Sequence, residues 1–436
     1  MSTYIINGGS KLEGEVFVSG SKNASLPILA ATVLNNGITK LYNVPNIHDT
    51  KVMLEILKYL GCKVKRNSDK IVIDARNIKH YEIPEELMRK MRSSVILAGA
   101  LIGRFRKAEF SCPGGCDIGA RPIDLHLKAF ENLGINISED TGYIRCKCDT
   151  IVAGKIHLDF PSVGATENAI LASVLANGTT TISNAAMEPE IIDLQNFLNK
   201  LGAKIKGAGT SQIVIKGVSR LQDSGYKVMP DRIEAGTLLC AGAVTGGKVL
   251  LKNVIPNHLI PVLEKLEECG CKLEVKKEEI LLQAPKKLKA IEIKTMPYPG
   301  FPTDMQAVFG GMMVSAKGTS VIIENIFENR YKYLGELKRM GAKFQIEGRT
   351  AIIKGLRKLS GTNVEATDLR GGAALVLAGL SAKGKTRVNN IEYILRGYEN
   401  LDVKLNSLGA KITKEVWCNG KTKKHWIELF ILKWWR

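Results

Sequence analysis

Residues 39–73, TKLYNVPNIHDTKVMLEILKYLGCKVKRNSDKIVI, decide the fold, because their pattern returns in residues 319–355, TSVIIENIFENRYKYLGELKRMGAKFQIEGRTAIIKG. Each stretch reads strand, loop, amphipathic helix, glycine, strand, strand. Further copies begin near residues 108, 180, 248 and 386. The helix-ending glycines, Gly61, Gly134, Gly202, Gly270, Gly341 and Gly409, stand 73, 68, 68, 71 and 68 residues apart. Self-similarity at such a period outranks any single motif, and glycine there suits the left-handed residue that closes a helix.

Each copy is preceded by a segment rich in Ala, Gly, Leu and Val with few charges: 22–34, 88–102, 165–175, 233–244, 305–314 and 369–380. A helix apolar on nearly all faces is a buried helix. Strands that alternate with period two have one wet face. The expected class is therefore α/β, six repeats of buried helix, amphipathic helix and mixed sheet, with helices inside and sheets outside. A chain of 436 residues exceeds one comfortable core. We expect two lobes of three repeats: 22–229, then 1–21 together with 230–416, with 417–436 an atypical tail rich in Trp and Lys. Two crossings, near 19–21 and 219–231, would form a hinge with the ligand in the cleft between lobes.

A composition of 45% hydrophobic and 24% charged residues is that of an ordinary soluble chain. The first twenty residues lack the basic and apolar regions of a secretory signal, and no run is long enough for a membrane span. Nine cysteines occur without a CxxC, and the pairs Cys146/Cys148 and Cys269/Cys271 have no histidine cluster beside them. That pattern favours a reduced, cytoplasmic setting and no metal site. The net charge is +19, of which Lys421, Lys423, Lys424, Lys433 and Arg436 against Glu428 contribute +4. The balance favours anionic partners. Its even spread, without aromatic-interleaved tracts, argues against nucleic acid. In the tail, Trp426, Leu429, Phe430 and Lys433 share a helical face that suits a membrane surface; the alternative is an appended segment packed on a lobe.

Charged or polar residues open the buried helices: Lys22 and Asn23, Arg92, Asp231 and Arg232, Asp304, Asp368 and Arg370. The loops before the amphipathic helices carry Arg121, Glu188 and Glu190, Arg330, and Arg396. If the buried helices point one way, these ends converge with their N-terminal N–H groups on one anion site. A ligand bearing both phosphate and carboxylate groups suits such a set. Asp231 and Asp304 also read as ordinary N-terminal carboxylates. The loop 112–125, CPGGCDIGARPIDL, has three glycines within six residues and then Pro122 at a first helical position, before Leu125, Leu127, Phe130 and Leu133. Cys116 there is either a nucleophile-type group on a mobile loop or a small residue tolerated at a turn.

SGSKNASLPILAA around Lys22, PGGCDIGARPIDLHL, PSVGATENAILAS, PDRIEAGT, FPTDMQAVFGG, FENRYKYLGELKRMGA, ATDLRGGAALVLAG and RGYENLDVKLNSLGA occur in that order. In these motifs the chain resembles the UDP-N-acetylglucosamine 1-carboxyvinyltransferases of peptidoglycan synthesis, over about residues 1–415. The resemblance implies two lobes, each an inside-out α/β barrel of three repeats. It also implies transfer of the enolpyruvyl group of phosphoenolpyruvate to the 3′-hydroxyl of UDP-N-acetylglucosamine, with release of phosphate; no metal or organic cofactor is expected, because no ligand cluster or cofactor loop appears in the sequence. By the same resemblance Lys22, Asn23, Arg121 and Arg396 hold phosphoenolpyruvate. Arg92, Arg121, Pro122, Ile123, Asp124, Leu125, Ser162, Val163, Gly164, Asp304 and Ile326 hold the nucleotide sugar. Arg232, Arg330, Asp368 and Arg370 would support the site. Asp304 would take the hydroxyl proton. Cys116 would donate a proton to C3, form an adduct at C2, and be alkylated by an epoxide phosphonate of the fosfomycin type. Leu395 departs from the pattern, since a polar residue, commonly aspartate, is expected before Arg396. Two rivals stay open: 5-enolpyruvylshikimate-3-phosphate synthase chemistry, and a non-catalytic nucleotide-binding repeat protein.

Overall fold

The computed structural model describes residues 2–68, 70–111, 123–356, 358–418 and 421–425. The chain divides into two compact units, Ser19–Arg232 with Met296–Pro302, and Met1–Val18 with Ile233–Thr295 and Thr303–Arg436.

Three four-stranded sheets surround the helices of the unit built on Ser19–Arg232. In the first, Ser224–Lys227, Ile38–Tyr42, Lys70–Asp74 and Lys63–Arg66 lie side by side. The edge strand is parallel to its neighbour, the rest pair antiparallel, and Thr39 faces Ile73. Ile71 and Ile73 turn inward while Val72 lies between them on the wetter face, as period two requires. The sheets of Lys107–Ser111 and Thr179–Ser183 repeat this order. The first sheet takes its edge strand from the far end of the unit's sequence, so the three repeats close on themselves.

The other unit has the same plan, with the N-terminal strands filling the vacant places. Glu13–Phe17 runs parallel to Lys248–Lys252, and Ser2–Asn7 lies between Lys385–Asn389 and Ile412–Cys418. Lys421–His425 adds a fifth strand beside Ile412–Cys418. Trp426, Leu429, Phe430 and Lys433 lie outside the described residues.

The expected buried helices are present as Lys22–Ala31, Val163–Ser173, Arg232–Val244, Gln306–Met313 and Leu369–Ser381. Each buried Leu or Ile in them stabilises by about 1.5–3 kcal/mol, and glycine lets neighbours approach. A Cβ on Gly311 would stand 2.7 Å from the Ala374 carbonyl oxygen. The amphipathic helices end at Gly61, Gly134, Gly202, Gly270, Gly341 and Gly409, all with φ between 74° and 112°, as their position demands.

The segment 88–102 differs from the expectation of one helix. Glu85–Lys90 is helical, Met91 is extended (φ −151°, ψ 108°), and Arg92–Ile96 forms a 3-10 turn before Leu97–Phe105. Ser94 donates its hydroxyl to the Met91 carbonyl at 2.6 Å, a local bond that competes with the helix ladder. No helix among the described residues is long and apolar enough to cross a membrane.

Candidate functional site

Lys22 begins the helix Lys22–Ala31, where the Ser21 hydroxyl caps the Ala24 N–H at 3.3 Å. The Lys22 backbone N–H donates to Asp231 at 3.0 Å, and its ammonium stands 3.1 Å from the fully buried Asp49 carboxylate. The buried carboxylate fixes the position of that ammonium. Asn23 follows on the same turn, half-buried. Arg92 opens the 3-10 turn Arg92–Ile96.

Ile123 precedes the helix Asp124–Glu131, and its carbonyl accepts from the N–H groups of His126 and Leu127 at 2.9 and 3.0 Å. The buried face of that segment is His126, Ala129, Phe130 and Leu133. Of the expected apolar stripe, Phe130 and Leu133 are buried, whereas Leu125 and Leu127 are only half-buried, His126 and Ala129 taking the buried face instead. Ser162 caps the helix Val163–Ser173 by accepting from Ala165, with Val163 and Gly164 as its first two residues. N–H groups at such a terminus suit an anionic ligand.

His126 joins these pieces. A Cβ on Gly164 would stand 3.0 Å from His126 Cε1, so a side chain there would crowd the ring. Asn168 donates to His126 Nδ1 at 2.7 Å and to the Val95 carbonyl, while its own Oδ1 accepts from Gly99. That arrangement leaves Nδ1 as acceptor and the proton on Nε2. Burial pushes the imidazole down to about 4, with Asp124 opposing and Arg92 reinforcing the shift. Asp124, Arg92 and the Gly164 turn are thus gathered around one neutral ring.

Arg232 is committed to a buried bidentate pair with Glu190, at 3.0 and 3.3 Å, and lies 5.7 Å from the centre of the Tyr298 ring. Glu167 and Glu188 beside this pair are pushed up by burial, and Asp193 is pushed up to about 6.

In the other unit, Asp304 sits in the turn Thr303–Met305 ahead of Gln306–Met313. Arg330 Nη2 donates to its Oδ1 at 2.7 Å, and Arg370 Nη2 donates to its Oδ2 at 3.0 Å. The Asp304 side chain keeps 27% exposure between two arginines at 2% and 4%. The result is an oriented and still accessible carboxylate. Asp368 caps Leu369–Ser381 through the N–H groups of Arg370 and Gly371, at 3.0 and 2.9 Å. Arg370 also stands 5.2 Å over the Tyr398 ring. Ile326 is half-buried, and its N–H donates to Glu324 at 2.9 Å. Arg396 follows the short helix Glu392–Leu395 and is half-buried, as is Leu395.

Cys116, Arg121 and Pro122 lie outside the described residues. Cys62, Cys146, Cys148, Cys240, Cys269 and Cys271 are free and buried. Burial pushes Cys62, Cys146, Cys269 and Cys271 up to about 12, which makes those thiols poor nucleophiles. Among the described residues no group of His, Cys, Asp and Glu is arranged to hold a metal. The sequence reading passed over Asp49, His126 and Glu324. Asp49 and His126 leave a faint trace, since each is a polar residue standing on the buried stripe of an amphipathic helix.

The sequence profile of the EPSP synthase (3-phosphoshikimate 1-carboxyvinyltransferase) family matches residues 6–405. UDP-N-acetylglucosamine 1-carboxyvinyltransferase 2 of Caldanaerobacter subterraneus subsp. tengcongensis is 54% identical over 415 residues, covering 95% of this chain and 100% of the relative. The enzyme of the same name from Carboxydothermus hydrogenoformans is 50% identical over 95% of this chain and 99% of its own length. Among solved structures, the enolpyruvyl transferase NikO from Streptomyces tendae matches with a TM-score of 0.86 at 26% identity, over 95% of this chain and 98% of that one. An EPSP synthase from Acinetobacter baumannii shares the fold, with a TM-score of 0.74 at 19% identity over 95% and 100% of the two chains. With half of its residues identical over 95% of the chain and both units built from the same triple repeat, the chain belongs to the UDP-N-acetylglucosamine 1-carboxyvinyltransferase family.

Proposed function

We propose that the chain transfers the enolpyruvyl group of phosphoenolpyruvate to the 3′-hydroxyl of UDP-N-acetylglucosamine and releases phosphate, the first committed step of peptidoglycan synthesis, in the cytoplasm. The observation that carries this reading is Asp304, an accessible carboxylate clamped by Arg330 and Arg370 in a chain 54% identical to an enzyme named for the reaction. The hydroxyl oxygen bonds to C2 of phosphoenolpyruvate while its proton passes to Asp304. C3 receives a proton from Cys116. Loss of a C3 proton and of phosphate from the adduct then restores the double bond. A carboxylate held by two guanidiniums is a weak base, so it accepts the proton only as the C–O bond forms and the hydroxyl acidifies.

Lys22, Asn23, Arg121 and Arg396 hold phosphoenolpyruvate. Arg92, residues 121–125, Ser162, Val163, Gly164 and Ile326 hold the nucleotide sugar. The fixed ammonium of Lys22 and the N–H groups at the start of Val163–Ser173 support these roles, both being suited to phosphate groups. Asp368 and Arg232 act indirectly, the one as a helix cap and the other in its pair with Glu190. Leu395 removes a carboxylate from beside Arg396, which leaves the phosphate anchor less constrained.

Phosphate release from phosphoenolpyruvate, measured with UDP-N-acetylglucosamine and with shikimate 3-phosphate as acceptor, tests the reading. Release with the nucleotide sugar alone is expected. Release with shikimate 3-phosphate would transfer the chain to the sister reaction, and release with neither would leave a binding protein. An epoxide phosphonate is expected to alkylate Cys116, faster with the nucleotide sugar present, and to leave the six buried thiols intact on peptide mapping. Retained activity with Cys116 unmodified would remove that residue from the mechanism.

A further inference from the structure

We propose that Glu324 is a positioning residue for Asp304, acting through Thr303 and Arg330; the inference rests on Asp304 being the group that takes the hydroxyl proton. Glu324 follows the strand Thr319–Ile323 and is fully buried. Its Oε1 accepts from the Thr295 hydroxyl at 2.9 Å, the Thr303 hydroxyl at 3.0 Å, and the N–H groups of Ile326 and Phe327 at 2.9 and 3.1 Å. Its Oε2 lies 2.9 Å from the same Thr303 hydroxyl. The two contacts to Thr303 share one hydroxyl proton, and the Thr295 hydroxyl and two N–H groups supply the other donors.

The consequence for Asp304 follows from counting protons. The Thr303 hydroxyl has a single proton, and with that proton on Glu324 its lone pairs face Arg330, whose Nη1 donates to it at 2.8 Å. The other terminal nitrogen of the same planar fork is then aimed at Asp304 Oδ1, 2.7 Å away. Arg330 Nε is buried without a hydrogen-bond partner, so Thr303 and Asp304 fix the guanidinium's rotation. The Phe327 ring lies 5.3 Å from the same guanidinium, and Phe327 belongs to the turn that Glu324 pins. One buried carboxylate therefore sets both the Ile326 turn and the Asp304 clamp, two elements proposed to meet the nucleotide sugar. Removing it would leave Arg330 free to rotate and two backbone N–H groups unmatched. The charged groups around Asp304 in this account are Arg330, Arg370, the capping Asp368 and Glu324.

Three variants separate positioning from plain structural support. Thr303→Val keeps the shape and removes the hydroxyl; Thr303→Ser keeps the hydroxyl; Glu324→Gln keeps the size and replaces an acceptor with a donor. In Thr303→Val we expect kcat to fall about 10- to 100-fold with KM for UDP-N-acetylglucosamine within about threefold. The acid limb of the kcat–pH profile should move upward, because a loosened Arg330 holds the proton off Asp304 less firmly. Thr303→Ser should recover kcat to within about threefold of the parent and leave that limb in place. Glu324→Gln should combine the kcat loss with a raised KM, through the Ile326 turn. Titration of the Asp304 carboxyl by carbon-13 NMR, assigned by its loss in Asp304→Asn, reads the same effect without turnover. Its midpoint should rise in Thr303→Val and Glu324→Gln and not in Thr303→Ser. An equal midpoint in all folded variants, or Thr303→Ser as impaired as Thr303→Val, overturns the proposal. If the parent chain releases no phosphate with UDP-N-acetylglucosamine, the reaction assignment fails, and the NMR titration alone decides whether Glu324 positions Asp304.

Discussion

In the proposed reaction Asp304 must accept a proton while two arginines hold its oxygens in place. Asp304→Asn keeps the shape and the acceptor toward one arginine but cannot take a proton. We expect kcat to fall by about 10²- to 10⁴-fold with a much smaller change in nucleotide-sugar KM, measured by steady-state phosphate release. His126 gives a second residue-scale expectation. Its folded-state value of about 4 lies below the usual 6.5, so between those limits the unfolded chain binds more protons and stability rises with pH. The contribution is complete above pH 6.5 and is lost toward pH 4, roughly 3 kcal/mol in all. Asp193, raised to about 6, works in the opposite direction over about pH 4 to 6. The difference between parent and His126→Gln in urea unfolding across pH 4–7 isolates the histidine, and a pH-independent difference would contradict its buried neutral state. Asp304, Arg330 and Arg370 were legible in the sequence as charges at repeated positions. Their pairing was not, because it depends on which repeats are neighbours. Glu324 was invisible, since a buried carboxylate satisfied by hydroxyls and N–H groups leaves no periodic trace.

Between elements, the approach of buried helices is set by glycine. A Cβ on Gly99 would stand 2.5 Å from the Asn168 carbonyl oxygen and 2.7 Å from Asn168 Oδ1. Neither the helix backbone nor the amide that holds His126 moves without disturbing the other. Gly99→Ala should lower stability by about 1–3 kcal/mol in urea unfolding and also raise KM for UDP-N-acetylglucosamine, through displacement of Asn168, His126 and the Gly164 turn. Unchanged stability and KM would show that the two helices are not locked at this contact. The helix ends were readable beforehand because a left-handed closing residue nearly requires glycine, and six appear in register. The break at Met91 was not, because Met, Arg and Ser suit a helix well enough by propensity.

For the whole molecule, the six-fold repetition accounts for most of the architecture: one sheet, one buried helical segment and one amphipathic helix per copy. The period is visible because each unit must bury the same faces. The strand that completes each set of three is not visible, since Ser224–Lys227 and Ser2–Asn7 carry no mark of their distant partners. What the repetition does not explain is the set of departures from it, and those departures, Cys116, Lys22, Asp304 and the arginines about it, carry the proposed chemistry. The most direct test counts products: inorganic phosphate released from phosphoenolpyruvate against UDP-N-acetylglucosamine converted, by mass spectrometry, to its 3′-enolpyruvyl ether. The account predicts one phosphate per ether in the parent chain and neither in Cys116→Ala. Phosphate released without the ether, or an ether formed equally well by Cys116→Ala, would contradict it.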